Sequence, residues 1–222
     1  MGRPADPQPS TLTGASLAGP NWSVGAGLYE SGMPQAHGLV RDLVAAIVPA
    51  DGMERAHQSD ALAWLDRTQD IYRREKPATP PKHLVSYAAL IDPRDLSLYL
   101  VDHKLAGLWL PPGGHVEPAE NPANTVRREA TEELGIKADL SVAGGRPAFL
   151  TVTRTIGFDA GHIDVSLWYL ISGNRQMSIA PDPREFSGGR WWAAEEIEAA
   201  SPALFDPHLG RFISKIRSKL RT

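Results

Sequence analysis

The chain has 222 residues and a mass of 24.1 kDa, room for one ordinary domain with an extension, since domains run roughly 100–200 residues. Hydrophobic residues make up 42% and charged residues 22%, which excludes a wholly disordered, collagen-like or coiled-coil chain, and a formal net charge of -3 gives no broad attraction to nucleic acid polymers or membranes. The lack of cysteine excludes disulfide frameworks, thiolate zinc sites, iron–sulfur clusters and cysteine nucleophiles.

Residues 1–37 scatter prolines and glycines with almost no periodicity, and the stretch reads as a flexible arm with little apolar surface to offset the entropy of ordering. Arg3 is the one basic group ahead of a Gly/Pro/Ser-rich run and no compact apolar segment follows it, so a secretory signal is not expected and the expected location is cytoplasmic. No apolar run approaches the roughly 18 residues of a membrane-spanning helix. Residues 39–48 and 53–74 carry apolar side chains at helical spacing, with Leu62, Leu65, Ile71 and Tyr72 in the second run; Pro49 and Gly52 separate them. They predict a helical extension over 38–76, which also offers a surface to a partner or a second copy. The Pro-rich KPATPPK at 76–82 marks a boundary, and the main domain is expected over 77–222.

Beyond it the texture is that of strands. Residues 83–92 and 96–104 flank a turn at Pro93 and Arg94 and predict an antiparallel hairpin; 147–155 and 163–172 predict a second β pair, followed by a strand at GRWW. The tail places Leu209, Phe212, Ile213, Ile216 and Leu220 at amphipathic spacing, a C-terminal helix that covers one sheet face.

The informative stretch is LWLPPGGHVEPAENPANTVRREATEELGI at 108–136. Asn121 suits an N-cap, Pro122 the first helical position and Gly135 the C′ position, while Ala123, Val126, Ala130 and Leu134 form a narrow apolar stripe. Glu129, Glu132 and Glu133 share the opposite side, where three carboxylates repel one another unless positive charge is supplied. Arg127 and Arg128 supply part of it. A cluster of oxygen ligands without imidazole or thiolate is what hard Mg²⁺ or Mn²⁺ prefers, with water and a substrate phosphate filling the remaining positions. A run such as RREATEE is common on solvated helices. The wider spacing carries more: Gly114, Glu120, Arg128, Glu129, Glu132, Glu133 and Gly135 in register match by chance on the order of once in 10⁷ chains of this length.

At these residues the chain resembles the Nudix hydrolase family, whose box G-x5-E-x7-R-E-U-x-E-E-x-G-U is met from Gly114 to Ile136, Ala130 filling the apolar position. The resemblance implies an α/β/α sandwich around a mixed sheet, Mg²⁺ dependence with Mn²⁺ as a substitute, and hydrolysis of a nucleoside diphosphate linked to another group. It implies Glu129, Glu132 and Glu133 as metal ligands, Glu129 also as activator of water, Arg128 as the group that orients Glu129, Glu120 beside the cluster, and the Gly113–Gly114 loop as a carbonyl donor to the metal.

Outside the box, Glu185 near the last strand is the candidate for an additional acidic group, with Asp159 as a rival, and Trp109 is the candidate aromatic wall for a base. Trp168, Trp191 and Trp192 read as core. His103, His115 and His162 have no paired-ligand spacing and are not read as zinc ligands. Second motifs of the ADP-ribose, diadenosine-polyphosphate, NADH and coenzyme A branches are missing, and the LWLPPGG entry resembles MutT-like members. The expected substrate is therefore a nucleoside di- or triphosphate or a nucleotide sugar. The non-catalytic reading is a ligand-sensing or protein-binding module, and a non-nucleotide diphosphate is the alternative substrate.

Overall fold

A computed structural model describes residues 26–76, 79–155 and 161–220, with side chains from Gln35 onward. Its elements run α1 (Ala26–Ala46), α2 (Gly52–Leu65), β1 (Lys82–Asp92), β2 (Ser97–His103), β3 (Leu108–Leu110), β4 (Gly113–His115), α3 (Pro122–Leu134), β5 (Pro147–Arg154), β6 (Ile163–Ser172), β7 (Phe186–Trp192), α4 (Ala194–Ala199) and α5 (Leu209–Leu220). The α/β class and the mixed sheet flanked by helices are as expected. No helix among the described residues is long and apolar enough to cross a membrane.

The sheet has the order β3-β2-β1-β6-β5, with β4 pairing β1 and β7 pairing β2. Both expected β pairs, β1–β2 and β5–β6, are antiparallel, whereas β1 and β6 run parallel from Lys82↔Ile163 to Ile91↔Ser172. β1 is buried almost end to end, as a strand covered on both faces must be. Its alternate residues serve two cores. Leu84, Ala88 and Leu90 join α1, α2 and α3 on one face, while Ala89 and Ile91 join Trp168, Phe149 and the α5 residues Phe212, Ile213 and Ile216 on the other.

Three boundaries differ from the sequence reading. Helix α1 begins at Ala26, so the last twelve residues of the expected arm over 1–37 are helical; Ala36 and His37 are buried, and His37 Nε2 lies 3.0 Å from the Thr68 carbonyl. Gly27, Gly32, Pro34 and Gly38 are poor helix formers that hid this start, yet the backbone stays helical through them. Residues 1–25 lie outside the described ones. Helix α2 ends at Leu65 rather than near residue 74, and Ile71 and Tyr72 are instead buried in an irregular segment whose Ile71 carbonyl accepts the Leu84 N–H. Asp66 and the Thr68–Asp70 turn, where Thr68 Oγ1 accepts the Asp70 N–H, stop the helix. The division between a helical extension at 38–76 and the domain behind it has no counterpart in the packing: Val40, Val44, Ile47, Ala61 and Leu65 belong to the same core as β1 and α3.

Helix α2 also reaches across the β5 edge to α5. Lys215 Nζ donates to Glu54 Oε1 at 2.6 Å, the two side chains being 2% and 0% exposed, and Glu54 Oε2 accepts the Ala50 N–H. Removing one member strands a buried charge, at a cost of about 3–5 kcal/mol, whereas replacing both is far milder. Lys215→Met is therefore expected to lose about that much stability in urea denaturation, and Glu54→Gln/Lys215→Met to recover more than half of it. Equal losses in the single and double variants would contradict this.

Candidate active site

The box helix forms as its ends dictate. Asn121 Oδ1 accepts the Ala123 N–H at 2.9 Å, Pro122 occupies the first turn, and Gly135 closes the helix at φ 66°, a left-handed position that favours glycine. The apolar stripe of Ala123, Val126, Ala130 and Leu134 is buried against the sheet. This rotation turns Glu129 and Glu133 toward β4, where both are buried, and leaves Glu132 exposed at the rim.

Strand β4 meets them through its backbone. The Gly113 N–H donates to Glu133 Oε2 at 2.9 Å, and the Glu129 carboxylate lies so close to Gly114 that a Cβ there would fall 2.6 Å from Glu129 Cδ and nearer still to Oε1. Arg128 ties the group together. It donates to Glu129 Oε1 at 2.6 Å, to both oxygens of Glu120 at 3.3 and 3.2 Å, to the His115 carbonyl at 3.2 Å and more loosely to Glu132 Oε2 at 3.5 Å. Glu120 is held in turn by the Thr125 hydroxyl at 2.7 Å and the Glu117 N–H at 3.1 Å.

Glu185 arrives from the loop before β7. That loop is fastened to the end of α3, the Ala180 and Asp182 N–H groups donating to the carbonyls of Leu134 and Glu133 at 3.2 and 2.8 Å. The exposed Glu185 carboxyl comes close enough to Glu133 to act on its charge. Burial, Glu129 and Glu185 together push the Glu133 carboxyl up to about 9, against the Gly113 N–H that favours its anion. Burial also raises Glu129, Arg128 opposing, while hydrogen bonds from Arg128 and Thr125 outweigh burial at Glu120 and lower it. Three carboxyls crowded in this way disfavour one another's ionisation, and oxygen donors that need a positive charge to ionise together are a set that fits a hard divalent cation.

Trp109 is half-buried on β3, its ring edge-on to Trp192 at 5.2 Å, and its carbonyl accepts the Asp206 N–H at 3.1 Å. It therefore stands two prolines before the glycine loop, in an aromatic group with Trp192 and Phe205. Trp168 is core, its Nε1–H donating to Thr151 Oγ1 at 3.1 Å; Trp192 is buried and Trp191 packs on Tyr99. Asp159 lies outside the described residues. The sequence reading missed Tyr87, whose ring packs edge-on to Trp168 at 4.9 Å and whose Cα and Cδ1 would lie 2.8 and 2.9 Å from a Cβ on Gly113. It also missed a group on β1, β4 and β6: His83, His115, His162 and Asp164 each bring one ligand atom within 4.8 Å of the others and could hold a metal ion. His103 stands apart, its Nδ1 accepting the Ala106 N–H.

The NUDIX domain profile matches residues 81–215, more than half of the chain. The chain belongs to the NUDIX domain family. A curated relative, a MutT-like protein of Streptomyces ambofaciens, is 34% identical over 82 residues, which are 37% of this chain and 52% of that protein; the chain thus spans about half the length of this relative. Among solved structures, a MutT NUDIX hydrolase from Burkholderia pseudomallei is 26% identical, covering 60% of this chain and 96% of that one with a TM-score of 0.45. A NUDIX family hydrolase from Clostridium perfringens is 20% identical, covering 63% and 96% with a TM-score of 0.46.

The two box-entry glycines are expected to fail differently. A Cβ on Gly114 displaces only the end of a flexible side chain, so Gly114→Ala should melt close to the wild type yet lose at least about 10²-fold in turnover through the misplaced Glu129. A Cβ on Gly113 meets the Ser86 carbonyl and the Tyr87 backbone, so Gly113→Ala should lose about 1–3 kcal/mol of stability. Thermal melts and a phosphate-release assay separate the two.

Proposed function

We propose that this NUDIX domain is a divalent-cation-dependent pyrophosphohydrolase that cleaves a nucleoside diphosphate linked to another group. The observation that carries the reading is the buried convergence of Glu129 and Glu133, joined by Glu185, on the glycine pair of β4. Glu129, Glu132, Glu133 and the Gly114 carbonyl would hold Mg²⁺, or Mn²⁺ in its place, with Glu185 as an added carboxylate. When bound, such a cation neutralises phosphoryl oxygens and makes water a better nucleophile at neutral pH.

The chain's own groups position the reaction. Arg128 engages Glu129 through Oε1, which leaves Oε2 as the atom assigned to take the proton of the attacking water. Glu120 and Thr125 hold Arg128 in that posture, and the Gly113 N–H orients Glu133. Water adds to phosphorus as the bridging P–O bond breaks, a transfer that depends mainly on positioning and charge stabilisation. Trp109, half-exposed two prolines before the glycine pair, is the proposed wall for a base. The LWLPPGG lead into the box, which resembles that of MutT-like members, supports nucleoside di- or triphosphates and nucleotide sugars as the substrate class.

Phosphate release, coupled to a phosphatase across a panel of nucleotides, tests this reading. Turnover should vanish with EDTA and return with Mg²⁺ or Mn²⁺. Glu133→Gln, which keeps an acceptor for Gly113 N–H but removes the charge, should fall by at least about 10²-fold with native circular dichroism. Wild-type turnover in that variant would overturn the site assignment. Nucleotide binding without turnover under Mg²⁺ would give the ligand-sensing reading instead, and faster cleavage of a prenyl or inositol diphosphate would overturn the nucleotide class.

A further inference from the structure

A second group of donors lies on the sheet face that carries Trp168, at the end where β1 and β6 begin. His83 and Asp164 are direct partners in the parallel β1–β6 register, and His115 is the last residue of β4, opposite Val85 on β1. His162 stands just ahead of β6. The side chains of His83 and His162 are buried and those of His115 and Asp164 half-buried. His83 Nε2 lies 3.2 Å from Asp164 Oδ1 and 3.0 Å from His115 Nε2, and His162 Nε2 lies 3.4 Å from Asp164 Oδ1.

Proton accounting shows what this arrangement lacks. His83 Nδ1 lies 2.8 Å from the Pro80 carbonyl, which can only accept, so that nitrogen carries the proton. Its other nitrogen, Nε2, faces both Asp164 Oδ1 and His115 Nε2. Asp164 Oδ1 is buried and accepts no hydrogen bond, so the ring contacts around it are close approaches without a proton in line. A cation among these nitrogens and this oxygen would give Asp164 Oδ1 the partner it lacks.

We propose that His83, His115, His162 and Asp164 form a closed, four-coordinate structural site for a transition metal ion of the zinc class. Three imidazole nitrogens and one carboxylate oxygen suit zinc and not Mg²⁺, which prefers oxygen alone. At metal–ligand distances of about 2.0–2.1 Å a tetrahedron has edges of about 3.3 Å. Three of the pairs, at 3.0, 3.2 and 3.4 Å, already bracket that edge, and wider ones would close on ligation. The bond from His83 Nδ1 to the Pro80 carbonyl is the outer-shell contact that fixes the tautomer of a metal-bound imidazole. The ion would clamp β4 to the β1–β6 pair from the face opposite α3, behind the Gly113–His115 backbone that receives Glu133 and Arg128. The site is independent of the carboxylate centre and of its hydrolytic reading.

The test uses the full chain stripped with EDTA and titrated with Co²⁺ in excess Mg²⁺. One equivalent should develop the intense visible absorption of tetrahedral Co²⁺, be bleached by one equivalent of Zn²⁺, and raise the melting temperature. Glu133→Gln should keep this signal. His162→Gln and Asp164→Asn, with native circular dichroism, should lose it and bind Zn²⁺ at least about 100-fold more weakly. Absence of the absorption in the wild type, its survival in both ligand variants, or its loss in Glu133→Gln would each overturn the assignment; the wild-type titration decides even if a variant does not fold.

Discussion

The approach of the Glu129 carboxylate to the α-carbon of Gly114 is the contact on which the rest of the site depends. It requires that β4 carry no side chain there, that α3 be rotated so that its charged side faces the strand, and that the resulting charge be answered locally. Arg128 answers part of it. Its guanidinium spans Glu129, Glu120 and the His115 carbonyl, so the helix, the loop before it and the strand share one planar group. The apolar stripe of α3 sets the rotation, and the caps at Asn121 and Gly135 set the helix length, so folding of the local segment and assembly of the site are one event.

Much of this was legible because it is local. The caps, the stripe and the carboxylates lie within one stretch of sequence, and helical geometry alone converts their spacing into faces. The two hairpin pairs were legible for the same reason, each being strands joined by a short connection. What local pattern did not convey was which helix-like spacing would be helical. Ile71 and Tyr72 sit at the right interval from Leu62 and Leu65, yet they are buried in an irregular segment bonded to β1 through the Ile71 carbonyl, because a turn at Thr68–Asp70 intervenes.

Long-range assembly was harder to read. Glu185 was placed by its position before the last strand; the reason it reaches Glu133, the backbone bonds from Ala180 and Asp182 to the end of α3, has no signature in the sequence. The histidines were set aside because no two of them have ligand spacing. Their convergence is made by the parallel pairing of strands some eighty residues apart, which aligns His83 with Asp164, and by the short β4, which delivers His115 beside them. Trp109 shows the opposite case: a position that reads as a ligand wall is also part of an aromatic packing group with Trp192 and Phe205.

The shared core of α1, α2 and the sheet separates two meanings of a domain edge. The stretch that recurs across the family starts at residue 81, but the stretch that buries its own apolar surface starts well before it. Cutting between them would uncover the face of Leu84, Leu150 and Val165 and would leave Lys215 without its carboxylate, an apolar wound with an unpaired cation at its rim. For this chain the heritable module and the cooperative folding unit are different lengths of polypeptide, and a fragment designed on the first is a candidate for aggregation rather than a minimal enzyme.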